Sequence, residues 1–477
     1  MLALLSLPFI CSWFGQVLSS LTPFVLHERR SRSPSGWVPE RKHDASAVLP
    51  IRFGLKQSNI QNLEEYLYDI SDPDSSNFGK HWTPLEVAKT FAPSAESVKV
   101  VHEWLIDNGI PKDRLRITPS QGWIEVDATV EEAEHLILAD YYVYKHESGQ
   151  EHIDTSFNNF LDALDGSYCT YEGGDDPTVD AIYPDTQAGG YDGPSACGTT
   201  KPAAVISTSY GYNEADLTPF YATRQCNEYA KLGLMGVTIL YSSGDSGVAG
   251  LGFAQLSSSQ SVNGTRFNPS FPGSCPYVTS VGATQIAAGN SVDDPEVAAA
   301  RVTASGRWRI QASLLSVTVD MNIHKYPSNV FGIPNYQKDA VATYIKNFKT
   351  DNFTTSAYNS SGNSRAFPDV AVNGAAYVVA AEGEFILEWG TSASSPTMGS
   401  ILAMINDARL AIGKSTIGFI NPTIYSTLFQ EAFNDIRSGN NPGCGTEGFT
   451  AASGWDPLTG LGTPNFERLK ELWLALP

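Results

Sequence analysis

At 477 residues the chain is too long for one ordinary domain and suits a smaller one followed by a larger one; 42% hydrophobic and 11% aromatic residues, 41 Gly and 28 Pro describe a loop-rich globular protein, not a disordered one. Asp and Glu outnumber Lys and Arg by 51 to 31, a formal net charge of −20, so the surface repels phosphate backbones and nucleic acid is not an expected partner. By itself that charge does no more than keep the chain in solution.

The first 20 residues carry an apolar run over 2–17 that ends in the small residues Ser19 and Ser20, the pattern of a cleaved signal peptide. The run is too short to stay in a membrane, although its lack of a charged start leaves an uncleaved anchor as the alternative. The basic residues Arg29, Arg30 and Arg32 that follow are a processing site or, more commonly for such stretches, a solvated tail.

From about 27 to 152 the patterning is that of an α+β unit. A strand is predicted over 48–56, amphipathic helices over 62–70 and 94–108, and a further strand and helix over 123–128 and 130–139. Seven of the eight histidines (His27, His43, His81, His102, His135, His146 and His152) fall here. Acidification through about pH 6.5 should therefore charge this unit and loosen its hold on the rest of the chain.

Beyond residue 154 the texture changes. Short apolar strands over 203–208, 237–241, 278–281 and 377–381 are interleaved with helices over 217–233 and 396–412, which predicts a parallel, doubly wound sheet covered on both faces. Residues 301–333 break that rhythm and show no period. Once Cys11 leaves with the signal, Cys169, Cys197, Cys226, Cys275 and Cys444 remain, an odd number that allows two disulfides and one unpaired thiol. Glycosylation sequons at Asn263, Asn352 and Asn359 fit a secretory route.

The strongest chemical signal is Gly-Thr-Ser-Ala-Ser-Ser-Pro at 390–396, which follows the apolar run 385–389 and opens a helix. Ser392 stands there at a strand-to-helix turn, beside free backbone N–H groups and a positive dipole end. A serine in such a place more often only caps the helix, and the full heptapeptide is what points to a nucleophile. The usual partner would be histidine, but the one histidine beyond residue 153 is His324, inside the anomalous segment. A carboxylate must then serve, which implies work at acid pH.

Asp245, in Ser-Ser-Gly-Asp-Ser-Gly at 242–247, follows the strand over 237–241 and projects at its carboxyl end, where open α/β sheets place their sites. A buried acid there would donate a hydrogen bond to a tetrahedral oxyanion; the plainer reading is a turn aspartate satisfying backbone groups. Near the C-terminus, Asp435 and Asp456 as side-chain ligands, with the backbone oxygens of Ile436, Ala452 and Gly454, offer hard oxygens suited to one calcium ion.

Taken in order, SSGDSG, GTSASSP, FNDI at 433–436 and SGWDPLTGLGTPNF at 453–466 resemble the sedolisin, or serine-carboxyl peptidase, family, and within it the secreted fungal tripeptidyl-peptidases. The resemblance covers roughly 48–300 and 334–466, and its first part, with SDPDSSNFGKHWTPLEV at 71–87, is similar to an inhibitory propeptide. It implies a signal peptide over 1–20, a propeptide over 21–152 and a subtilisin-like α/β catalytic domain over 153–477. Ser392 would be the nucleophile, Asp245 the oxyanion-hole acid, and Asp435, Ile436, Ala452, Gly454 and Asp456 the site of one Ca2+. The expected partners are peptide substrates and the chain's own propeptide, with no membrane, and the expected state is a secreted monomer.

Two departures stand against the family pattern. The family uses a glutamate base with an aspartate four residues later on one helix, and this chain has no such pair where it is expected; Asp162 and Asp165 lie on the wrong element. The second is 301–333, where the family carries a Gly-rich cleft segment and usually a cysteine. Both have abrupt edges, as a skipped exon and a retained intron would. The implied enzyme is therefore impaired or inactive as written. The alternative is a non-catalytic secreted binding protein, with a histidine-dependent subtilisin a distant third.

Overall fold

The computed structural model describes residues 37–118, 122–137, 140–146, 201–249, 266–299, 328–347, 357–381 and 383–477. The expected signal peptide, the Arg29 stretch, Asp162, Asp165, Cys169, Cys197, Asn263, His324, Asn352 and most of 301–333 lie outside them. Among the described residues no helix is long and apolar enough to cross a membrane.

The first unit is α+β, as its patterning predicts. Strand β1 (Trp37–Lys42) is followed by β2 (Val48–Gly54) and the helices α1 (Leu63–Ser71), α2 (Pro84–Phe91) and α3 (Ala95–Asp107). Then come β3 (Arg116–Ile117), β4 (Trp123–Thr129), α4 (Val130–Ile137) and β5 (Tyr142–His146). Caps set the helix starts: Thr83 and Glu86 form a capping box ahead of Pro84, and Ser94 accepts from Ser97 N–H. β4 pairs antiparallel with both β2 and β3, and Ile124, Val126 and Ala128 alternate onto one face against Leu105 and Leu136.

The second unit carries the parallel sheet. Its strands are β6 (Val205–Thr208), β7 (Thr238–Ser242), β8 (Thr279–Gln285), the short antiparallel β9 (Val297–Ala298) and β10 (Val370–Asn373); β6, β7, β8 and β10 lie side by side and parallel. Helix α5 (Pro219–Leu234) packs one face and α7 (Thr391–Ala411) the other, with α6 (Lys338–Asn347) between them in sequence. Alternation along β7 explains the double cover: Ile239 and Tyr241 join Cys226, Tyr229 and Leu232 of α5, whereas Leu240 joins Met398, Leu402 and Ile405 of α7.

Two strand assignments differ from the sequence expectation. The run 377–381 is a strand, β11 (Tyr377–Ala381), but it pairs antiparallel with β12 (Glu384–Glu388) in a separate hairpin, with Val378 and Phe385 exposed. The sheet position falls instead to β10, four residues that pattern reading passed over. The helix expected over 396–412 begins five residues earlier, which puts Ser392 inside its first turn.

Cys226 and Cys275 form a disulfide that ties α5 to the turn before β8, and Cys444 is a buried free thiol. Ahead of β10, Arg365 and Asp369 make a fully buried bidentate pair, with Tyr425 OH and Ser280 N–H also donating to Asp369. Asn359 Nδ2, the described sequon nitrogen, donates to Ser328 O at 3.0 Å.

The two units share a core. Leu63, Leu67, Ile70, Val87 and Phe91 pack with Ala230 and Leu234 of α5 and with Phe419. Arg224 bonds Leu55 O at 3.1 Å and lies 4.4 Å from the centre of the Trp123 ring, and Thr423 Oγ1 donates to Ser71 O at 2.8 Å. The His81 ring fills a slot between Gly236 and Gly418, both at positive φ, where a Cβ on either glycine would strike it.

Candidate active site

Asp245 lies three residues past the end of β7 and reaches the start of α7. The Thr391 N–H and hydroxyl each donate to its Oδ1 at 2.7 Å, while Gly244 N–H donates to Thr391 Oγ1 at 3.0 Å. The carboxylate thus satisfies a first-turn donor of α7 and meets the positive end of its dipole. Gly390 makes this approach possible: it sits at φ +133, and a Cβ there would lie 2.8 Å from Asp245 Oδ2. Oδ2 accepts no hydrogen bond among the described residues, so it is the oxygen left to meet a ligand. Asp245 is half-buried, not buried as the sequence reading expected.

One residue on, Ser392 is exposed and its hydroxyl has no hydrogen-bond partner among the described residues. Its carbonyl accepts from Ser209 Oγ at 2.9 Å, just past the end of β6. Two further bonds seat the turn on the sheet, Ser394 Oγ to Val372 O at 3.0 Å and Ser395 Oγ with Ser207 Oγ at 2.8 Å. The structure therefore brings Ser392 and Asp245 to one place, the carboxyl ends of β6, β7 and β10. Among the described residues no imidazole and no second carboxylate hydrogen-bonds to this turn. Chemically the described residues offer an accessible hydroxyl, a helix N-terminus and an acid side chain with one oxygen free among them, and no base among them.

The C-terminal carboxylates also face a common loop. Asp435 Oδ1 accepts from Gly454 N–H at 3.2 Å and its Oδ2 from Arg437 Nε at 2.7 Å. Asp456 is fully buried; its Oδ2 accepts from Ala452 N–H at 3.0 Å and its Oδ1 from the N–H groups of Leu458 and Thr459 at 2.9 and 2.8 Å. Burial pushes the Asp456 carboxyl up to about 7 against the pull of those donors, and a cation beside it would favour the ionised form. The carbonyl oxygens of Ile436, Ala452 and Gly454 accept no hydrogen bond among the described residues, and Ile436 and Ala452 are buried. Two carboxylates and carbonyl oxygens carried by the same loops are hard oxygens of the type calcium takes. No cluster of three or more His, Cys, Asp or Glu side chains is present among the described residues, which leaves backbone oxygens a large share of any such site.

Sequence reading missed Thr391, Ser207 and Ser209. Thr391 is inside the quoted motif, but nothing local says that its hydroxyl binds a residue 146 positions away. Ser207 and Ser209 carry no signal at all until β6 is laid beside α7.

Comparison with known proteins gives the following. Residues 35–159 match the pro-kumamolisin activation domain and residues 176–445 the subtilase family. Aorsin of Aspergillus oryzae is 32% identical over 669 aligned positions that take in 98% of this chain and 99% of aorsin. Tripeptidyl-peptidase sed1 of Aspergillus fumigatus is 30% identical, over 97% of this chain and 98% of its own. Pseudomonas sedolisin, a serine-carboxyl proteinase of solved structure, is 24% identical with a TM-score of 0.43, over 57% of this chain and 65% of that one. The aorsin alignment runs to 669 positions and this chain has 477 residues, so at least 192 positions, their difference, have no residue here.

Proposed function

The chain belongs to the sedolisin family of subtilase-fold serine peptidases, and from that premise we propose that it is the secreted precursor of an acid tripeptidyl-peptidase with Ser392 as nucleophile and Asp245 as oxyanion acid. The observation that carries this reading is the bond of Thr391 N–H and Oγ1 to Asp245 Oδ1 at 2.7 Å, which sets the acid one residue from a serine hydroxyl with no partner among the described residues. In the reaction Ser392 Oγ would attack a peptide carbonyl and form an acyl-enzyme with loss of the amine. The carbonyl oxygen becomes an oxyanion, and a proton on Asp245 Oδ2 would be donated to it while Thr391 holds Oδ1.

The hydroxyl proton must leave to a base, and the described residues supply none. The at least 192 unmatched alignment positions support a chain that has lost the glutamate–aspartate helix, so it is impaired or inactive as written. The same observation favours the second reading, a secreted binding protein that keeps the cleft. One calcium ion held by Asp435, Asp456 and the carbonyls of Ile436, Ala452 and Gly454 would brace the C-terminal loops; it supplies charge compensation and rigidity, not a step of the reaction.

The test is incubation of the acid-treated full chain with a tripeptide reporter bearing a free N-terminus. Turnover lost in Ser392→Ala supports the peptidase, and no turnover by a folded chain rejects activity for this version. A peptide that binds without being cleaved favours the second reading.

A further inference from the structure

Helix α7 carries proline at its sixth residue, Pro396. In an α-helix the carbonyl of residue i accepts from the N–H of residue i+4, and proline has no N–H to give. The carbonyl that loses its partner is that of Ser392 itself. The proline ring also crowds the carbonyl four residues back and tilts it away from the helix axis. In this protein the Ser392 carbonyl is not left bare, because Ser209 Oγ donates to it at 2.9 Å. Ser209 comes directly after β6, and two residues earlier Ser207 bonds Ser395 at 2.8 Å, so one strand end grips the first turn twice. Gly399 lets the strand come this close, since a Cβ there would lie 3.3 Å from Ser207 Cβ.

We propose that Ser209 is a positioning residue for Ser392: its hydroxyl supplies the donor that Pro396 withholds, and so fixes the first turn of α7 and the serine on it against the carboxyl end of β6. The functional half of this statement rests on Ser392 being the nucleophile, whereas the replacement of one donor by another does not. If Ser209 stands in for an absent N–H, restoring that N–H by Pro396→Ala must make Ser209 dispensable.

Four full-length variants test it: Ser209→Ala, Ser209→Thr, Pro396→Ala and the double Ser209→Ala/Pro396→Ala. Hydrogen exchange read by mass spectrometry on peptides spanning 391–395 should speed up about 5–10-fold in Ser209→Ala, the loss of one hydrogen bond. It should return to within twofold of the parent in Ser209→Thr and in the double variant, with Pro396→Ala alone also within twofold. Peptides from α5 should not change, which separates the effect from global loosening. Unchanged exchange in Ser209→Ala, or a double variant no better than Ser209→Ala, overturns the proposal. In parallel, the rate at which a fluorophosphonate modifies Ser392 should fall and recover in the same order across the four. A parent chain that shows the exchange pattern but is never modified at Ser392 supports Ser209 as the cap and leaves Ser392 without the base that would activate it.

Discussion

His81 ties the acid response of this protein to one slot. Its ring lies between Gly236 and Gly418, at the end of α7 remote from Ser392, and is partly buried. Burial first, and the Arg409 guanidinium second, push it down to about 4 from 6.5. Because the docked ring is held neutral, docking is strongest above about pH 6.5 and weakens as pH falls, the loss being complete near the docked value of about 4. At about 1.36 kcal/mol per unit the whole effect is roughly 3 kcal/mol, and between pH 7 and pH 5 the contact should weaken about twentyfold. The sequence alone placed this loosening at about pH 6.5; the slot spreads it downward. Glu228, also buried at the contact with Lys231, is held below its usual range by Lys231 and Arg224 despite burial. Opening constants of α1 amides, measured by hydrogen exchange at both pH values, are the assay. They should rise about twentyfold in the parent and less than threefold in His81→Phe, which keeps a flat ring without a titrating nitrogen. Equal rises in the two proteins would refute the reasoning.

Other outcomes follow from single contacts. Asp245→Ala strands the Thr391 donors and should cost about 1–3 kcal/mol in chemical denaturation, whereas Asp245→Asn keeps an acceptor and should cost less than about 1. Arg365→Met leaves Asp369 buried and unpaired and should cost about 3–5 kcal/mol, visible as a drop in Tm. Reducing the Cys226–Cys275 bond, whose ends are 49 residues apart, should cost about 4 kcal/mol, read from denaturation with and without reductant. Calcium at about 100 times its Kd should stabilise the chain by about 2.7 kcal/mol. Calorimetry against a chelator should show that gain in the parent and none in Asp456→Ala.

Which parts could be read in advance depended on how local their cause is. The helices expected over 94–108 and 217–233 begin within two residues of those positions, each behind a capping hydroxyl, Ser94 and Thr218, the second followed by proline; α2, behind Thr83, was not anticipated. The strands β6, β7 and β8 announce themselves as short apolar runs between turn residues. β10 did not, because Val370–Asn373 is four residues long and its Asp and Pro neighbours look like a loop. The longer run Tyr377–Ala381 looked more like a core strand than β10 does, yet it forms an exposed hairpin. Hydrophobicity reports what a segment tends to bury, not which neighbour will cover it.

The chain order of residues alone determined the two-unit plan, the family, and the two short segments that carry Ser392 and Asp245, since each is a local run with its own turn chemistry. Only the tertiary structure decided that Asp245 binds Thr391 across 146 residues, that Ser209 caps Ser392 across 183, and that His81 lies against Gly236 and Gly418. A hydrogen bond or a buried ring depends on two surfaces meeting, and one stretch of sequence encodes only its own side of that meeting.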